Sequence, residues 1–145
     1  MRTIGGSGMG RFRVDFDVSN YGDVLKVLEG TLPANRVRRQ TISGVVDPGA
    51  AMLVLPPTVV KELGLPPGDK IKVKYADGRR AQRGQAEGAY VELLGRHSTF
   101  TAVVEPKCKT VLIGAIVLEA LDLLVDGKHQ CVIPRDPKGP IYEIE

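Results

Sequence analysis

The chain has no tryptophan, and its aromatic share is only 5%. That leaves little for stacking nucleobases, so no nucleic-acid partner is expected on this ground. Cysteine is scarce as well: Cys108 and Cys131 cannot build the disulfide framework of a small secreted domain. Neither stands in a Cys-x-x-Cys pair, and His97 and His129 are not at ligand spacing from them, so no metal site is expected. No apolar run approaches a membrane span, so no membrane partner is expected either. An excess of one charge is also lacking. Twenty Lys and Arg against 17 Asp and Glu leave +3, too little to make nucleic acid the default partner. The opening MRTIGGSG has no apolar signal-peptide core, so residues 1–10 read as a flexible leader with a second candidate start at Met9. A cytoplasmic location is the resulting expectation.

Glycine and proline are plentiful, at 17 and 10 of 145 residues, which points to short strands and tight turns in one domain. Residues 11–18 alternate strictly, with Phe12, Val14, Phe16 and Val18 on one face, the mark of a half-buried strand. Residues 24–28 are apolar without clear period, and a second strand is expected over 37–46. Pro56 and Pro57 open a short helix with Val59, Val60 and Leu63 on its buried face and Gly64 as its stop. Strands are expected over 71–75, 85–94 and 98–105, with turns at 76–78 and 95–97. The run 111–114 is fully apolar, a second short helix follows over 115–121, and residues 123–134 form a hairpin about Asp126-Gly127. Residues 135–145 read as an extended tail. Two units echo one another, since Val45-Val46 and Val111-Leu112-Ile113 are both apolar strands followed by a glycine turn and an apolar helix.

Asp47 poses the physical problem of the chain. It is one carboxylate inside the apolar run 44–56, where burying an ionised group without partners is costly. Either it lies on an Asp-Pro-Gly turn that reaches solvent, or backbone amides near Gly49 stabilise its charge.

At this point the chain resembles the retroviral-like (retropepsin-like) aspartic protease family, whose signature is two apolar residues, then Asp-Thr/Ser-Gly-Ala, then an apolar strand and a helix. The resemblance is carried by Val45 to Ala50, Leu55-Pro56, Glu62-Leu63-Gly64-Leu65, Ala76-Asp77-Gly78, Val111-Leu112-Ile113-Gly114, Leu118-Glu119 and Leu124-Val125-Asp126. It covers residues 11–134 in order. It implies an all-β, barrel-like acid-protease lobe with one or two short helices, in a chain with room for one lobe only. The second carboxylate would then come from Asp47 of another copy, in a two-fold homodimer cutting a peptide or protein substrate with no cofactor. Two carboxylates at such range share a proton; one activates water and the other supports the developing oxyanion.

The resemblance further implies roles for particular residues. Asp47 is the shared acid and base, Gly49 a backbone donor and turn former, and Ala50 a closely packed neighbour. Residues 73–85 would be a flap, with Tyr75, Ala76, Asp77 and Gly78 near its tip. Its Arg79, Arg80 and Arg83 favour acidic peptides, although a solvated edge strand also carries such charges. Leu112 and Ile113 would line the substrate pocket. Pro48 departs from the family, which has Thr or Ser there; it has neither the hydroxyl nor the amide hydrogen that joins the two catalytic loops. A second reading follows: a weakened or inactive protease-like dimer that binds extended peptides or a protein partner. His97-Ser98 has no third group for nucleophilic catalysis, and the early glycines precede a strand instead of following one, which is wrong for a phosphate loop.

Overall fold

A computed structural model describes residues 11–145, so the leader expected at residues 1–10 lies outside the described residues. The alternating segment forms β1 (Phe12–Asn20), with Phe16 and Val18 buried and Arg13 and Asp15 exposed. It pairs antiparallel with β2 (Arg39–Val46), from Phe12 opposite Val46 to Ser19 opposite Arg39. Between them stands α1 (Tyr21–Leu28), a helix where the sequence suggested apolar residues without period. The reason lies at its ends and in its polar contacts. The buried Asn20 side chain accepts the Asp23 amide at 3.0 Å and donates to the Leu63 carbonyl at 2.8 Å. Asp23 in turn takes a bidentate contact from Arg38, at 2.9 and 3.0 Å, while Leu25 and Leu28 remain exposed.

After β2 come β3 (Val54–Leu55) and α2 (Pro57–Leu63), which Gly64 closes in the left-handed conformation at φ 63°. Next follow β4 (Ile71–Lys74) and β5 (Arg80–Arg83), then β6 (Gln85–Leu93) and β7 (Arg96–Val104). The turn between the last two is Leu94-Gly95, both at positive φ. Arg96 and His97 therefore belong to a strand, a correction to the expected turn. Arg96 is buried and donates to the Leu121 and Asp122 carbonyls at 3.1 and 2.7 Å, beyond the end of a helix. That helix is α3 (Ala115–Ala120), which follows β8 (Leu112–Ile113). With α1 and α2 it makes three α-helices among the described residues, beside a single 3-10 turn over Ala34–Arg36. The chain ends with the hairpin of β9 (Leu123–Asp126) and β10 (Cys131–Pro134), and with an extended segment held by Arg135 to Asp122 and Ile141.

Six strands close a barrel in the order β1-β2-β8-β3-β7-β6, and β6 returns to pair with β1. The two echoing units meet inside it: β2 and β8 run parallel, with Val45 opposite Leu112 and Val46 opposite Ile113. Val46, Leu53, Leu55, Ile113, Val117 and Leu121 have almost no exposure and fill the interior between these units. Each such side chain contributes about 1.5–3 kcal/mol relative to an exposed one. The β4–β5 hairpin is a separate two-stranded sheet, outside the barrel. Among the described residues no helix is long and apolar enough to cross a membrane.

Candidate active site

Asp47 follows the last residue of β2, and its backbone amide continues the pairing by donating to the Ile113 carbonyl at 3.0 Å. The chain then turns, with the Ala50 amide donating back to the Asp47 carbonyl at 3.0 Å. Within the turn the Gly49 amide donates to Asp47 Oδ1 at 3.0 Å, an Asx-type bond two residues along that a proline at 48 leaves intact. The other carboxylate oxygen lies 3.7 Å from Arg11 Nε. So this carboxylate, only 8% exposed, is held between a backbone amide and a guanidinium. Pro48 and Gly49 face outward.

The second echoing unit fixes the turn from behind. Ala115 and Ile116, which open α3, donate their amides to the Ala50 and Ala51 carbonyls at 2.8 and 3.0 Å. Gly114 makes this approach feasible: a Cβ there would stand 2.3 Å from the Met52 carbonyl oxygen and 2.8 Å from that of Ala50. The echo visible in the sequence is therefore a structural clasp, one unit gripping the loop of the other.

In front of Asp47 lies a cavity of about 1020 Å³. Asp47, Gly49, Ala50, Leu112 and all of Tyr75 to Gly78 line it, although these segments are separated by up to 65 positions in the chain. Ile113 does not. Successive strand residues point to opposite sides, so Leu112 faces the cavity while Ile113 is wholly buried in the barrel interior, which corrects the expectation that both line a pocket. The volume is at the upper end of small-molecule pockets.

The hairpin tip is self-contained. The Gly78 amide donates to the Tyr75 carbonyl at 2.9 Å with Gly78 at φ 88°, and Asp77 accepts from the Arg79 amide and Nε at 2.9 and 2.8 Å. Those bonds hold the Asp77 carboxyl below its ordinary range. Glu105 and Cys108 also line the cavity, and neither is a site candidate on the sequence alone. The Tyr75 hydroxyl donates to Glu105, and Arg83 Nε lies 3.2 and 3.3 Å from its two oxygens. Burial pushes the Glu105 carboxyl up, but the Tyr75 and Arg83 hydrogen bonds outweigh it and leave it below its ordinary value. The same contact raises the Tyr75 phenol. No local motif announces Glu105, because its partners lie 30 and 22 positions away. Among the described residues no three His, Cys, Asp or Glu side chains gather as metal ligands.

The family described as "gag-polyprotein putative aspartyl protease" matches residues 35–120, which include the Asp47 turn, the hairpin and the Gly114 clasp. The chain belongs to this aspartic protease family. EIAV protease in complex with the inhibitor HBY-793 is similar in fold, with a TM-score of 0.51 at 16% identity over 77% of this chain and 88% of that one. No curated protein matches the chain. The six-stranded barrel is thus a retropepsin-like lobe, and its membership of the protease family bears on the cavity at Asp47.

Proposed function

We propose that the protein is an aspartic endopeptidase whose active form is a homodimer, with Asp47 from each copy meeting at the two-fold axis. The observation that carries this reading is the Asp47 carboxylate on a turn braced by Gly49 and by α3, lining a cavity of about 1020 Å³ that the β4–β5 hairpin also lines. Among the described residues there is one such turn, and in this reading a second copy supplies the other carboxylate of the dyad. Pro48 and Gly49 face outward, which suits a turn that meets its counterpart. In the dimer the two carboxylates share one proton and titrate as a coupled pair. The ionised member takes a proton from a water, which attacks the peptide carbonyl. The protonated member gives its proton to the carbonyl oxygen, forming a gem-diol; as the C–N bond breaks it takes a proton back from that diol, while the member that holds the proton from water passes it to the departing amine. The β4–β5 hairpin acts as the flap that closes over the peptide and excludes water. Two thiols without disulfides suit a reducing cytoplasm.

One observation favours the second reading, a protease-like dimer that binds peptides without cutting them. Pro48 cannot donate a hydrogen bond at the position where the two turns would meet. A denatured protein mixture incubated with wild type and with Asp47→Asn over pH about 3–8 separates the readings by mass spectrometry of new termini. The endopeptidase makes termini that vanish with Asp47→Asn. A dimeric preparation that makes none leaves the binding module.

A further inference from the structure

The β4–β5 hairpin shares no strand ladder with the barrel. Among the described residues, backbone contacts tie down its base, where Pro67 bridges Ala86, the Gly68 amide donates to the Gln85 carbonyl at 2.9 Å and the Val104 amide donates to the Gly84 carbonyl at 2.9 Å. Tyr75, beyond the outer end of β4, and Arg83, at the base of β5 opposite Ile71, converge from the two sides of the hairpin on one carboxylate, that of Glu105. Glu105 belongs to the body of the protein: it follows β7, and its amide donates to the Leu55 carbonyl at 3.1 Å. Its side chain is only 14% exposed and that of Arg83 22%, so the pair is shielded from solvent far more than a surface ion pair. The guanidinium carbons of Arg79 and Arg83 lie 4.7 and 5.8 Å from the centre of the Tyr75 ring, which fixes the phenol in place.

We infer that Glu105 is a positioning residue that latches the hairpin over the Asp47 cavity. Both Tyr75 and Glu105 line that cavity, so the latch sets how far the hairpin stands above a bound peptide. Without it the hairpin is joined to the body only at its base and spends more time lifted, and peptides bind more weakly. The inference rests on reading the hairpin as a flap, but its first test needs no turnover.

Amide hydrogen exchange of residues 71–83 is measured in protein carrying Asp47→Asn, so that self-cleavage cannot intervene. Adding Glu105→Ala, which removes the bonds from both Tyr75 and Arg83, accelerates exchange of the β4–β5 amides about tenfold or more, at least the effect of losing one charge-assisted hydrogen bond, while β6 and β7 keep their rates. Tyr75→Phe accelerates the same amides less. Combined with Glu105→Ala it adds nothing, because the two changes remove one interaction. Hairpin amides at the wild-type rate in Glu105→Ala overturn the latch. Should Glu105→Ala loosen the whole barrel, Tyr75→Phe decides the matter: acceleration confined to the hairpin supports the latch, and an unchanged rate overturns it. In protein with Asp47 intact, Glu105→Ala raises KM for a peptide about tenfold and changes kcat less than threefold. Absence of turnover in wild type counts against the protease reading and leaves the exchange result standing.

Discussion

Replacing Gly114 by alanine strikes the clasp that braces the Asp47 turn. The new Cβ would stand 2.3 Å from the Met52 carbonyl oxygen, 2.7 Å from the Met52 nitrogen and 2.8 Å from the Ala50 oxygen. All three are backbone atoms, so no side chain can swing aside, and ordinary contact requires β8 and the turn to separate by about 1 Å. That shift stretches the bonds from Ala115 and Ile116 to Ala50 and Ala51, now 2.8 and 3.0 Å, beyond hydrogen-bonding range. Overpacking costs about 1–3 kcal/mol and the two weakened bonds about 1 kcal/mol each, so Gly114→Ala destabilises by about 3–5 kcal/mol. Urea unfolding measures this directly. Gly84→Ala is the matched control, since a Cβ there meets nothing within 4 Å; its stability stays within about 1 kcal/mol of wild type. Cleavage that depends on Asp47 falls about 100-fold in Gly114→Ala, because displacing a catalytic group by about 1 Å has that effect. A Gly114→Ala protein within about 0.5 kcal/mol of wild type would refute the clasp.

Two further predictions concern other parts of the molecule. Arg38 lowers the Asp23 carboxyl from 3.8 to about 2, so this contact stabilises the fold above pH 4 and the gain is lost as pH falls through about 2. With Arg38 half exposed, the contribution is about 1–2 kcal/mol. Asp23→Asn is therefore less stable than wild type by that amount at pH 7, and the gap narrows as pH falls from about 4 and closes only below about 2; urea midpoints that keep a constant gap contradict it. Pro48→Thr restores an amide hydrogen and a hydroxyl to the Asp47 turn and raises kcat/KM for a peptide by up to about tenfold, the equivalent of one hydrogen bond. A fall in kcat/KM with the fold intact contradicts that role.

Most of the barrel is legible where a strand is half buried, because alternation then writes the core face into the sequence, as in Phe12 to Val18. Proline and glycine mark α2 equally plainly through Pro57 and Gly64. Helix α1 was hidden for the opposite reason. Its stability comes from the Asn20 cap and the Asp23–Arg38 contact, while Leu25 and Leu28 face solvent and blur the period. The Asp47 turn is a local motif, so residues 47–50 could be singled out without knowing what lies opposite. Leu112 and Ile113 form a run too short for alternation to tell the cavity side from the core side. Glu105 was invisible because its meaning lies in Tyr75 and Arg83, which only the closing of the barrel and the folding of the hairpin bring to it.

The central claim is that two Asp47 carboxylates, one from each copy, perform a single hydrolysis. Wild-type and Asp47→Asn chains, unfolded together in equal amounts and refolded, test it most directly. If both carboxylates are required, only dimers of two wild-type chains cut peptide, and activity per total protein falls to about a quarter of that of wild type alone. Activity of about one half would mean that each chain works independently, and would contradict a shared site at the dimer axis.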